Sequence, residues 1–421
     1  MQTDLFSNPD PLANSNAGAL AKPVWTPTRA AGLARLQAFL PYAGRAYARD
    51  RNIDRGTADR SNVSALSPWL RRRLITEEEV IAAVLQSHTA AAAEKFVQEV
   101  FWRTYWKGWL EMRPSVLIRF NADRRAWKAR LDQDDALRLS LARATAGQTG
   151  IDCFDAWVGE LVETGWLHNH ARMWFASIWI FTLKLPWQLG ADFFYKHLMD
   201  ADPASNTLSW RWVAGLHTRG KHYLARASNI RDNTLQRFDP RGQLDETAHP
   251  LLDDEPTHTA RAIPPPETPR EQRAALLLHD DDLCPESLAI TATVTGVACL
   301  DAAPVGDQQG PAARFTRGAF ADALTRAQAH FGLPVEGKIV QPDTVASWAK
   351  ACGVTEILTP YAPIGLTAWM LDALHAPLAR ADIRLVRVQR RFDAHAWPHA
   401  KSGFFKFKDA IPKLIAAGRV G

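Results

Sequence analysis

The chain has 421 residues, of which 47% are hydrophobic and 23% charged, a balance that suits two soluble domains rather than one core or a disordered polymer. A net charge of +5 tolerates nucleic acid without requiring it, and no apolar run reaches the roughly 18 residues of a membrane span. Cys153, Cys284, Cys299 and Cys352 show no CxxC spacing, so neither zinc nor an iron–sulfur cluster is signalled, and a reducing, cytoplasmic setting is expected.

Residues 1–27 read as a flexible polar arm, lacking the basic start and apolar run of a signal peptide. From 28 to 245 the pattern is helical, and an all-α domain is expected. Leu33, Leu36, Phe39 and Leu40 recur at helical spacing, and Thr76 followed by acidic residues opens a helix at Glu77. Residues 90–112 and 154–184 carry long apolar runs without strand-like alternation. Thirteen of the sixteen tryptophans precede residue 215, so the two halves differ. Residues 246–271, with Pro264-Pro265-Pro266, read as a semi-rigid linker.

From 272 to 421 short apolar runs alternate with helical stretches. Strands are expected at Ala274–Leu278, Thr293–Leu300, Glu356–Leu358 and Ile383–Val388. Helices are expected near 318–331, 342–352, 365–375 and 404–417. Alternating βα units predict a Rossmann-like α/β domain with a parallel sheet. No phosphate-binding glycine motif opens it.

Four segments of the helical half carry chemistry. Glu99, Trp102, Arg103 and Trp106 share one helical face, an odd mixture for a core. In the second, Asn169 and Arg172 lie one turn apart and can address one ligand, with Trp166 available to stack on a flat ring. His168 and His170 face different ways on a helix, so a metal is not expected. Asp200 and Asp202, followed by Ser205 and Asn206, suit acid–base work or helix capping alike. Ser64, Leu66 and Ser67 precede a helix, where hydroxyls and free amides suit phosphate oxygens.

Read together, these segments resemble the FAD-binding helical domain of the photolyase/cryptochrome family. The resemblance implies FAD as cofactor. Tyr47, Arg51, Ser64, Leu66 and Ser67 match its phosphate-binding end, with Val63 and Ala65 replacing the usual Thr and Arg. Trp166, Arg103, Asn169 and Arg172 match flavin-pocket positions. Asp200, Asp202 and Ser205 match the stretch near the ribityl chain and isoalloxazine, and Asn206 the residue facing flavin N5. Glu99, Trp102, Met173 and Trp212 match positions that line the lesion pocket of dimer photolyases, and with Asn206 they make up the catalytic set that the resemblance implies. Trp210 and Trp187 match the inner electron-transfer tryptophans; Trp127 is the nearest candidate for the third, with Trp179 as another.

The second half is similar to the family's α/β domain, which ordinarily comes first, so the order implies a circular permutation. Its opening arginine-containing signature is degraded to Leu277-Leu-His-Asp280-Asp281-Asp282-Leu283, which weakens the case for a second, antenna chromophore. The resemblance implies blue-light-driven repair of cyclobutane pyrimidine dimers in DNA by electron transfer from reduced FAD, performed by a monomer. Arg71-Arg72-Arg73 is expected to face DNA phosphates or to form a solvated helix face. A cryptochrome-type photoreceptor acting on an unknown signalling partner is the alternative. So is (6-4) photoproduct repair, for which His168 is the neighbouring histidine.

Overall fold

The computed structural model describes residues 25–252, 258–301, 310–334 and 337–418. The polar stretch 1–24 of the expected arm lies outside them. Helices alone occupy the described residues up to 252. Their ends follow local chemistry. Thr28, Thr76 and Thr89 accept hydrogen bonds from the first turns of helices Arg29–Phe39, Glu77–Ser87 and Ala90–Glu111, and Glu79 completes a capping box with Thr76. The apolar run 154–184 is broken rather than continuous. Asp152–Thr164 ends at Gly165, whose φ of +69° a side chain would strain, and Asn169–Ser177 follows, widening into a π-helical turn at Ile178–Thr182. Asp202 caps helix Pro203–Ala214, with Pro203 preset for its first turn.

Among its described residues the second half holds five parallel strands: β1 Arg273–Leu278, β2 Thr293–Leu300, β3 Lys338–Val340, β4 Glu356–Pro360 and β5 Arg384–Val388. Their order is β3-β2-β1-β4-β5, a doubly wound sheet. The three-residue β3 was not anticipated. The 318–331 helix begins earlier, at Pro311. The 365–375 helix runs on through Pro377 to Arg380, and 404–417 divides into Phe404–Lys408 and Ile411–Gly418.

β1 is buried on both faces, as a central parallel strand must be. Ala274, Leu276 and Leu278 join the core shared with the helical half, whereas Ala275 and Leu277 pack into a second core under helix Leu366–Arg380. One sheet face is thereby continuous with the helical half.

Between the halves, Arg71, Arg72 and Arg73 are buried, each no more than 4% exposed. The expectation that they face DNA or solvent is corrected. Arg71 meets Asp280 and Asp281, Arg72 meets Thr316, and Arg73 meets Asp282 and Asp393. Three guanidinium groups would not stay buried without these acceptors.

Candidate active site

A cavity of about 360 Å³ opens in the helical half. Four segments contribute most of its lining. Helix Ala90–Glu111 contributes Glu99, Trp102, Arg103 and Trp106. The segment Val63–Ser67 contributes Ser64, Leu66 and Ser67. The turn before helix Asn169–Ser177, with that helix, contributes Trp166, Asn169, Arg172 and Met173. Asp200 and Asp202 lead into Ser205, Asn206, Trp210 and Trp212 on helix Pro203–Ala214. Tyr47 and Arg51 close one end. Residues widely separated along the chain thus meet in one space.

At the hydroxyl end, Arg35 binds the carbonyls of Ser64 (Nε, 2.8 Å) and Val63 (Nη2, 3.1 Å). Trans peptide planes therefore turn the Ser64 and Ala65 N–H groups away from Arg35. Ala65 adopts φ +52°, a left-handed conformation that a non-glycine residue keeps only where its surroundings enforce it. Arg51 Nη1 reaches Glu99 Oε1 at 2.5 Å. Burial raises the Glu99 carboxyl above its ordinary range, and Arg51 only partly opposes it.

At the carboxylate end, Asp202 does two jobs. Oδ1 accepts from the Ser205 amide at 2.8 Å as helix cap, and Oδ2 accepts from Arg103 Nη1 at 2.6 Å. Burial penalises its charge, yet Arg103, Lys107 and Arg71 prevail and hold it down at about 2. Asp200 is likewise lowered against burial, chiefly by Arg172, whose Nη1 and Nη2 each lie 3.1 Å from Oδ2. Both carboxylates are therefore ionised and paired rather than poised to give protons. Asn206 Nδ2 donates to Ala191 O at 2.8 Å. Its amide can hydrogen-bond a ligand but cannot supply an acid proton.

The tryptophans divide into a rim and a core. Trp212 packs on Tyr223 with ring centroids 5.8 Å apart. Trp102 stacks face to face on Phe404 at 3.7 Å, a contact from the far end of the chain that sequence reasoning missed. Arg60 covers Trp166 at 4.3 Å. Trp210 is buried at the cavity wall, and its indole nitrogen has no protein partner. It meets Trp179 edge to face at 6.2 Å. Trp187 stacks instead on Phe120 at 5.3 Å, with Arg211 over it at 6.0 Å. Trp127, half-buried under Arg130, and Trp187 lie outside the cavity lining.

His168 does not line the cavity either. Its Nδ1 accepts from the His170 amide, and burial pushes it down to about 4. The reading of His168 as a neighbouring acid is corrected accordingly. Among the described residues no cluster of three or more His, Cys, Asp or Glu side chains is arranged to hold a metal. No described helix is long and apolar enough to cross a membrane.

The donor set fits FAD. Hydroxyls and an arginine suit a pyrophosphate, and paired arginines and carboxylates suit a polar chain and heterocycle.

Residues 96–281 match the family described as the FAD binding domain of DNA photolyase. The deoxyribodipyrimidine photo-lyase of Alkalihalophilus pseudofirmus is 29% identical over 226 residues, covering 53% of this chain and 45% of that protein. That of Streptomyces griseus is 33% identical over 184 residues, covering 42% and 37%. The chain thus spans about half the length of these relatives, or less. A class III photolyase structure from Agrobacterium tumefaciens overlays with 26% identity and a TM-score of 0.39, covering 51% of this chain and 46% of that one. At that score the overlay adds nothing to the assignment.

Proposed function

The chain belongs to the photolyase/cryptochrome family with FAD as its cofactor, and from that premise we propose that it repairs cyclobutane pyrimidine dimers in DNA under blue light. One observation carries the reading: Glu99, Trp102, Met173 and Trp212 line the same cavity as the flavin-type residues. A flipped dimer entering there would meet flat indole faces and a carboxyl group.

Bound FAD supplies the photochemical electron donor. Ser64, Ser67 and the neighbouring amides would hold its phosphates, and Arg103, Arg172, Asp200 and Asp202 would hold the rest of it. Trp102 and Trp212 grip the lesion. Glu99, raised by burial, accepts from an imide N–H when ionised and donates to a base carbonyl when protonated. Trp210 carries electrons to the cavity, continued by Trp179 or by Trp187 and Trp127. No side chain need break the dimer bonds by acid–base work.

The domain order, with 28–245 as the FAD unit, 246–271 as linker and 272–421 as the α/β unit, reads as a circular permutation. Permutation is mild where termini lie at the surface. A cryptochrome-type photoreceptor is the second reading. It is favoured by Phe404, which already occupies one face of Trp102.

Binding of oligonucleotides to the FAD-loaded protein separates these readings. Preference for a dimer-containing strand over the undamaged one, lost in Trp102→Ala and Trp212→Ala, supports repair. Equal, weak binding of both strands rejects it.

A further inference from the structure

The turn Met199–Asp202 presents both carboxylates to the cavity, and arginines grip it from behind. Arg71 Nε donates to Ala201 O at 3.3 Å, and Arg72 Nη1 to Met199 O at 3.1 Å. Between those carbonyls Ala201 sits at φ +37°, a conformation an alanine keeps only when its surroundings over-determine it. The other ends of both arginines belong to the sheet half. Arg71 Nη1 meets Asp281 Oδ1 at 2.5 Å and Asp280 O at 3.1 Å, and its Nη2 meets Asp280 Oδ2 at 3.2 Å. Arg72 Nε donates to Thr316 Oγ1 at 2.7 Å, and its Nη2 to Ala312 O at 3.0 Å. Thr367 in turn donates to Asp280 Oδ1 at 2.8 Å.

We propose that Asp281, Asp280 and Thr316 are positioning residues for the FAD site, acting through Arg71 and Arg72 on the turn that carries Asp200 and Asp202. The sheet half then helps to shape the cofactor site through residues that do not line it. A buried guanidinium whose carboxylate is removed must find another acceptor or water. Arg71 can do so only by shifting its fork, which loosens its hold on Ala201. Ala201 then relaxes from its left-handed conformation, and Asp202 turns away from Arg103. The contacts of the neighbouring Asp282 differ in kind. Asp282 is held by Arg390 (2.5 and 2.7 Å) and meets Arg73 at 3.4 Å, and Arg73 and Arg390 donate to no backbone carbonyl of the turn. Arg73 joins the halves and Arg390 braces Asp282 within the sheet half, and neither reaches the carboxylates of the turn.

The inference rests on FAD occupying the Asp200/Asp202 cavity, and the test separates the two claims. Full-length apoprotein is titrated with FAD by flavin fluorescence, and the visible band shape of bound flavin is recorded. Asp281→Asn is expected to weaken binding about tenfold and Thr316→Val about threefold, with an altered band, while Asp281→Glu recovers most of the loss. Asp282→Asn lowers thermal stability but leaves FAD affinity and band shape as in the wild type. Thr316→Val removes a single hydroxyl contact, so it reports even if Asp281→Asn folds poorly. Wild-type affinity and spectrum in both Asp281→Asn and Thr316→Val overturn the proposal, as does an equal loss in Asp282→Asn. If Asp202→Asn itself leaves FAD binding unchanged, the placement of FAD in this cavity fails, and the inference fails with it.

Discussion

Arg73 Nη2 donates to Asp393 Oδ1 at 2.8 Å, joining the third residue of an arginine run in the helical half to a buried carboxylate beyond the last strand. Both side chains are sealed from solvent, and Arg73 adopts φ +48° to make the contact. Removing Asp393 leaves the buried Arg73 guanidinium with only the longer contacts to Glu77 and Asp282, at 3.3 and 3.4 Å. Asp393→Ala is therefore expected to cost about 3–5 kcal/mol in denaturant unfolding. A loss below about 1 kcal/mol would show that water already serves these groups.

Acid should weaken the fold in two steps. Burial pushes His168 to about 4 and His170 and His217 to about 3, below the ordinary histidine value of 6.5. Their folded forms bind protons less readily than the unfolded chain does, so stability is full above pH 6.5 and declines as pH falls toward 4. His217 lies between Trp106 and Trp109, with ring centroids at 4.8 and 4.6 Å. His217→Phe should flatten the decline by up to about 3 kcal/mol between pH 6.5 and 4. Asp202 and Asp282, held at about 2, add a second step that appears only as pH falls from about 4 toward 2.

Gly190 leaves room for Trp210 and Trp179. A β-carbon there would lie 2.4 Å from Trp210 and 2.9 Å from Trp179, both buried rings. Gly190→Ala should displace Trp210, cost about 1–3 kcal/mol, and slow flavin photoreduction in blue light. Trp210→Phe should reduce photoreduction to background. Comparing Trp179→Phe with Trp187→Phe tells which ring takes the electron next. The 6.2 Å contact favours Trp179.

Phe404 is the sheet half's contribution to the rim. Phe404→Ala should cost about 3–5 kcal/mol and free the stacked face of Trp102. Affinity for dimer-containing DNA is expected to change more than FAD retention, as read by gel shift and flavin release.

The cavity residues were legible because their chemistry is local. Carboxylate, indole and guanidinium on one helical face at Glu99–Trp106 are rare enough to be noticed, and so is the Asp200–Asn206 stretch. The clasp between the halves was not. A charge run such as Arg71–Arg73 looks the same whether solvent or a partner some 200 residues away receives it. Asp280–Asp282, which receives it, read only as a degraded motif. Phe404 sits among lysines, and nothing in its neighbours pairs it with Trp102. β3 was missed because three residues at a sheet edge carry no periodicity. The early start of the helix at Pro311 did carry a signal, proline in its first turn.

The most direct test is repair itself. Reduced, FAD-loaded protein is mixed with an oligonucleotide carrying one thymine dimer, and dimer loss is followed under blue light and in darkness. Light-dependent loss, slowed by well over about tenfold in Trp212→Ala and weakened in Glu99→Ala, is the predicted result. Unchanged dimers after illumination, in protein whose FAD is bound and photoreducible, would contradict the repair function and leave the photoreceptor reading in its place.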